Sequence, residues 1–172
     1  MVLHSPLRTL SQTLEAWTTL EAFVPHQIRH LGISNVQLPL LEALYEAATI
    51  KPSVVQNRFY PATRFDVPLR QFCRAKGIVY QSFWTLTGNP GLLNSKPVDA
   101  LSKEICAERE QALYLLVLGL ERLVVLNGTT REETMRADLQ AVKRFQLWLD
   151  KVGEGIIWEK ILADFKILIG ET

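Results

Sequence analysis

The sequence predicts an α/β fold of parallel βα units, on the strength of two short segments and the spacing between them. Leu31-Gly32-Ile33-Ser34-Asn35 and Ser53-Val54-Val55-Gln56-Asn57 are apolar strand patterns that both finish in polar side chains. One amphipathic, helix-length stretch separates them, as parallel strands with a helical crossover require, and strand ends rich in amides suit a site at the mouth of a barrel. The 172 residues, 48% of them hydrophobic, allow one domain with a sizeable core.

The elements follow in order. Met1 to His4 supplies at most a strand fragment. Leu10, Leu14, Trp17, Leu20 and Val24 share one face of a helix that Pro25 should stop. A strand is expected from Ile28 to Ile33, then a helix through Leu38, Leu41, Leu44 and Ala48, with Pro39 tolerated in its first turn. Val54-Val55 is a buried strand. Asp66 is placed to cap a helix carrying Leu69 and Phe72, and Gly77 to end it in a left-handed cap. Ile78-Val79-Tyr80 opens the next unit, Gly88-Asn89-Pro90-Gly91 reads as a loop, and helix follows through Leu118 with a break near Ala107 to Arg109. Leu123 to Leu126 is the last strand. Thr130-x-x-Glu133 is a capping-box pattern leading into a helix whose amino end could meet a phosphate, and Leu147 to Ile169 reads as one or two further helices.

Composition narrows the function classes. A net charge of +1 offers no broad attraction to nucleic acid or an anionic membrane. The longest apolar run, Ala112 to Leu120, is about half of what a membrane span needs. Cys73 and Cys106 sit in or beside helical patterns, so both are expected reduced in a cytoplasmic protein. No metal-spaced His/Cys cluster, glycine-rich dinucleotide loop, Walker loop or nucleophile elbow occurs.

Five motifs in order carry a more specific signal: Met1-Val2-Leu3-His4-Ser5-Pro6, Leu31-Gly32-Ile33-Ser34-Asn35, Lys51-Pro52 with Gln56, Phe72-Cys73 with Gly77-Ile78 and Gln81-Ser82-Phe83-Trp84-Thr85-Leu86, and Val125-Leu126-Asn127-Gly128-Thr129-Thr130. In this order and at this spacing the chain resembles the aldo-keto reductase family from that family's fourth strand onward. The resemblance implies a (β/α)8 TIM-type barrel of which the last four to five βα units are present, as one partial domain over 1–172. Units four to eight fill 1–146, and a helical tail fills 147–172. It also implies hydride transfer from NADP or NAD to an aldehyde or ketone.

By the same resemblance His4 is the catalytic histidine that orients the substrate carbonyl. Ser34, Asn35 and Gln56 are matched to contacts with the nicotinamide carboxamide, and Phe83 to the aromatic ring against the nicotinamide face. Trp84 and Leu86 lie on the loop crossing the pyrophosphate, and Gly128, Thr129, Thr130 and Asp138 complete the cofactor set. The family's tyrosine, lysine and aspartate precede its fourth strand and have no match here; Tyr45, Tyr60, Tyr80 and Tyr114 stand elsewhere. Gly128 replaces a phosphate-binding lysine and Thr134 the arginine that grips the 2′-phosphate, so NADP and NAD both stay open, with Arg131 or Arg136 as other sources of charge.

Each residue also has a plainer reading: His4 as a polar terminus, Ser34-Asn35 as an ordinary turn, Phe83-Trp84 as packing, Thr130-x-x-Glu133 as a cap. The expectation is a truncated reductase, inactive or nearly so as 172 residues, that acts on a small carbonyl substrate and self-associates through exposed barrel edges. The alternative is a non-catalytic nucleotide-binding or interaction protein.

Overall fold

The computed structural model describes residues 1–171. Five parallel strands, β1 (Val2–Leu3), β2 (Gly32–Ser34), β3 (Val54–Arg58), β4 (Val79–Phe83) and β5 (Leu123–Val125), pair in sequence order into one sheet. Helix α1 (Leu10–Glu21) joins β1 to β2, α2 (Leu38–Ala47) joins β2 to β3, and α3 (Val67–Lys76) joins β3 to β4. The β4–β5 crossover holds α4 (Pro90–Leu93), α5 (Lys96–Glu104) and α6 (Arg109–Leu118); α7 (Glu132–Leu149) and α8 (Glu154–Leu168) follow β5.

Alternation along the strands separates two faces. Ile33, Val55, Tyr80 and Leu123 are buried against the helices in a core with Leu41, Leu44, Leu113 and Leu116. Gln56, Arg58, Gln81, Phe83 and Val124 have the opposite parity and lie on the uncovered face, because parallel register puts Gln56 beside Gln81 and Arg58 beside Phe83. Gly32 belongs where strands crowd: a Cβ there would stand 2.7 Å from the carbonyl oxygen of Val54.

The strand and helix order agrees with the expectation, with local corrections. The stretch from Ile28 to Leu31 lies outside β2, because the chain after α1 is folded into a turn in which the Gln27 and Ile28 amides donate to the Phe23 carbonyl, and extended pairing begins only at Gly32. Helix α1 ends at Glu21, short of the proline. The break near Ala107 is present between α5 and α6, but Pro90 starts a short helical turn inside the supposed loop. Asp66 precedes α3 without capping it: its backbone is left-handed (φ 52°), and its carboxylate accepts from Asn57 and Tyr80 instead. Thr130-x-x-Glu133 does not cap either, since α7 begins at Glu132 after Arg131, with no side-chain cap. The capping box falls at Glu108 and Gln111, opening α6. Gly77 ends α3 at φ 73°, as the sequence implied.

The end of the described chain is held inside. Glu171 pairs with Arg70 at 2.6 Å and Arg74 at 3.1 Å, both on α3, while Arg70 donates its Nε to the Phe65 carbonyl and lies over the Phe59 ring. Breaking such a buried pair by neutralising one member costs about 3–5 kcal/mol, because the other charge stays buried.

Two outcomes are expected. Gly32→Ala should lower the urea unfolding midpoint by the equivalent of about 1–3 kcal/mol through the clash with Val54. Cys73 is buried and its thiol is pushed up to about 12, chiefly by burial and then by the Asp66 charge, whereas Cys106 is exposed. Iodoacetamide should therefore modify Cys106 in the folded chain and spare Cys73 until denaturant is added. The folded pKa lies above the ordinary thiol value of 9.0, so the contribution of Cys73 to stability is complete below pH 9 and falls as pH rises toward 12. Mass mapping of labelled peptides and unfolding curves across that range check both statements.

Candidate functional site

All five strands run the same way, so their carboxyl ends gather at one end of the sheet. There Ser34, Gln56 and Gln81 form a lateral row on the uncovered face. Ser34 donates its hydroxyl to the Gln56 carbonyl at 2.6 Å, and Gln56 donates Nε2 to Gln81 Oε1 at 3.0 Å. Asn35 donates Nδ2 to the His4 carbonyl at 2.9 Å and approaches Ser34 Oγ at 3.2 Å. Its left-handed backbone (φ 53°) is one asparagine tolerates. Four of the candidates, His4, Ser34, Asn35 and Gln56, thus belong to one hydrogen-bonded ladder across three strands, with the His4 side chain in solvent.

A second group lines a groove of about 480 Å³ where β4 and β5 end: Phe83, Trp84, Leu86, Gly128, Thr129 and Asp138. Thr130 is adjacent in sequence but does not line it. The turn after β4 presents Trp84, half exposed and left-handed at φ 60°, and buried Asn89 holds that turn by donating to the carbonyls of Phe59 and Thr85. On the other wall Asn127 joins Asp138 to the loop, donating to its carboxylate and accepting from the Thr129 amide at 2.8 Å. That amide is already committed, which narrows the expected anion cradle over Gly128 to Thr130. Arg131 faces the groove, whereas Arg136 is paired with Glu132 on the exposed side of α7. Glu110 and Asp138 put two carboxylates in the same lining. Tyr114 beside them is raised by burial and then by the Asp138 charge.

A third space, a cavity of about 520 Å³, opens between the loops after β2 and β3 and contains Asn35, Arg58, Tyr60 and Asp66. Its frame is a buried polar knot. Asn57 accepts from Val36 N at 3.0 Å, donates to Val36 O at 2.7 Å and reaches Asp66 Oδ2 at 2.8 Å, where Tyr80 also donates at 2.9 Å. Burial, then the Asp66 charge, hold the Tyr80 phenol well above its ordinary value, so it stays a donor. Three consecutive left-handed residues, Arg64, Phe65 and Asp66, turn the chain from this cavity into α3. Such backbone costs energy at each residue and persists because the knot and the Arg70 bond to Phe65 hold it.

A nicotinamide cofactor fits the donor set. The amides of Asn35 and Gln56 match a carboxamide, and Phe83 offers a ring beside them. The 480 Å³ groove continues past Trp84 toward the α7 end. A 2′-phosphate in that groove would face Arg131 but also the carboxylates of Glu110 and Asp138. Arg58, Gln81 and Asn89 are not among the site residues expected from the sequence, although Gln81 stands in one of the ordered motifs and Asn89 in the expected loop. Gln81 and Arg58 were signalled by strand parity with Phe83 and Gln56; Asn89 had no local signal, because its partners are carbonyls of two different loops.

Comparison with known proteins agrees with this geometry. The family model described as aldo/keto reductase family matches residues 1–150. The NAD/NADP-dependent indole-3-acetaldehyde reductase of Schizosaccharomyces pombe is 33% identical over 91 residues, half of this chain and 32% of that protein. The NAD(P)H-dependent D-xylose reductase of Scheffersomyces stipitis is 40% identical over 74 residues, covering 41% of this chain and 23% of that one. Among solved structures, an aldo-keto reductase of Bombyx mori in complex with NADP superposes with a TM-score of 0.69 at 18% identity, over 81% of this chain and 50% of that one. An aldo/keto reductase of Brucella melitensis gives 0.68 at 17%, over 81% and 53%. The matched parts span about a third or less of these two curated relatives and about half of these solved chains. With five parallel strands in sequence order and a family match over residues 1–150, the chain belongs to the aldo/keto reductase family.

Proposed function

We propose that these residues supply the cofactor-positioning half of an NAD(P)-dependent reductase that converts an aldehyde or ketone to its alcohol. The observation that carries this reading is the ladder from His4 through Asn35, Ser34 and Gln56 to Gln81, opening beside the groove of Phe83 and Trp84. A bound nicotinamide supplies the hydride. Asn35 and Gln56 grip its carboxamide, Phe83 sets which face of the ring is exposed, and the His4 imidazole donates to the carbonyl oxygen of the substrate. The Gly128 amide and the Arg131 side chain, both in the lining of the groove, meet the phosphates. Relatives that act on indole-3-acetaldehyde, glyoxal and D/L-glyceraldehyde support a small carbonyl compound as substrate. Two thiols with no disulfide between them accord with a cytoplasmic setting. Among the described residues no helix is long and apolar enough to cross a membrane.

None of the four tyrosines stands in the amide row on the uncovered face, although Tyr60 lines the 520 Å³ cavity and Tyr114 the 480 Å³ groove. Tyr80 points into the helix layer, Tyr45 packs on Phe72, Tyr114 stands on α6, and Tyr60 stacks edge-on against Trp84. Without a tyrosine at the position matched to the family's proton donor, about 100- to 10,000-fold of rate is lost, and on this reading these 172 residues alone hold a dinucleotide without turning it over. A second reading, a non-catalytic interaction protein, draws on the sheet itself: among the described residues β1 and β5 each pair on one side only.

Purified chain titrated with NADH should bind it, and Asn35→Ala or Gln56→Ala should weaken binding by about 10-fold, the worth of one or two hydrogen bonds. Carbonyl reduction should be undetectable in the same samples. Absence of NADH binding would contradict the cofactor assignment; turnover abolished by His4→Ala would contradict the predicted inactivity.

A further inference from the structure

Arg58 lines the 520 Å³ cavity and lies against Trp84 and Phe83, which line the 480 Å³ groove. Its guanidinium carbon lies 4.5 Å from the centre of the Trp84 ring and 5.9 Å from that of Phe83. The Trp84 ring holds the side chain from one side and Phe83, at 80° to it, flanks it, and contact through a face leaves the N–H donors at the rim of the guanidinium. Among the described residues, no carboxylate lies within ion-pair distance of it; the arginines that are paired are Arg70, Arg74, Arg109 and Arg136. Asp66 is the acid lining the same cavity, and its Oδ2 is turned toward Asn57 and Tyr80. The arrangement is a held, uncommitted fork beside an open cavity, which is the form that recognises a planar oxyanion through two parallel bonds.

We infer that Arg58 binds the carboxylate of the substrate, so that the carbonyl compound accepted by this site is an oxo acid. One guanidinium balances one negative charge, and the Asp66 carboxylate in the same lining repels a doubly charged phosphate more than a carboxylate, so the carboxylate is favoured. The position suits a substrate group, since Arg58 is the register partner of Phe83 and shares its cavity with Asn35. An anion held there would neighbour the residues, Phe83 and Asn35, that this reading assigns to the nicotinamide. This assignment rests on the reductase reading; the anion site itself does not.

Trp84 is the half-exposed tryptophan and lies under Arg58, so its emission reports on the pair directly. The full chain is titrated at constant ionic strength with propionate, inorganic phosphate and NADH in separate arms, and Trp84→Phe assigns the signal. Propionate should saturate, Arg58→Gln should weaken it by about 10-fold or more, and Arg58→Lys should weaken it less, because charge persists without the fork. NADH binding should be unchanged in both variants. Far-UV circular dichroism confirms that each variant is folded. Propionate binding that survives Arg58→Gln overturns the inference, as does an Arg58 effect confined to phosphate or to NADH, which would assign the residue to the cofactor. Failure of the wild-type chain to bind NADH overturns the reductase reading and the oxo-acid assignment with it, while Arg58-dependent propionate binding would still establish the anion site.

Discussion

The strict two-residue alternation of parallel strands in register is the constraint on which the rest of this molecule depends. Ile33, Val55 and Tyr80 must face the helices to build the core, and that requirement sends Ser34, Gln56 and Gln81 to the opposite face as neighbours in one row. A slip of one residue in β3 would bury Gln56 and Arg58 and expose Val55. Core and site are therefore specified by the same pairing. The hydrogen bonds along the row, such as Gln56 to Gln81, follow from that register and do not create it.

The loops at the strand ends are organised by buried polar groups whose partners lie far away in sequence. Asn57 ties the loop after β2 to the loop after β3, and Asn89 ties the turn after β4 back to Phe59. An unpaired buried amide is costly, so each of these asparagines is informative only with its partners in view. The same scaffolding sustains unusual backbone, with left-handed conformations at Asn35, at Trp84 and at Arg64 through Asp66. Strain concentrated at strand ends, where Trp84 and Arg58 are displayed, fits a surface built to present side chains rather than one optimised for stability.

Much of the fold was legible from residues alone. The apolar strand cores, the helix faces of α2 and α3, the Gly77 cap and the break before α6 follow from periodicity and from local chemistry. The failures share a cause. Asp66 and Thr130 have the composition of caps, but their surroundings offer other geometry: Asp66 meets Tyr80 and Asn57, and the Thr129 amide meets Asn127. Of the candidate site, the ordered motifs foretold which strand ends carry polar groups. They did not foretell that two separate spaces lie on either side of the Trp84 wall, because that depends on Arg58 and Tyr60 stacking across loops distant in sequence.

A cofactor site at this end of the sheet requires the amide row and the β5 loop to serve one ligand together. Heteronuclear NMR of isotope-labelled chain with added NADH tests this directly, by following the side-chain amides of Asn35, Gln56 and Gln81 beside the backbone amides of Gly128 and Thr129. Both groups should shift along the same titration curve, with the helix-covered face unmoved. Shifts confined to one group, or spread over the helices while the amide row stays still, would contradict a shared site.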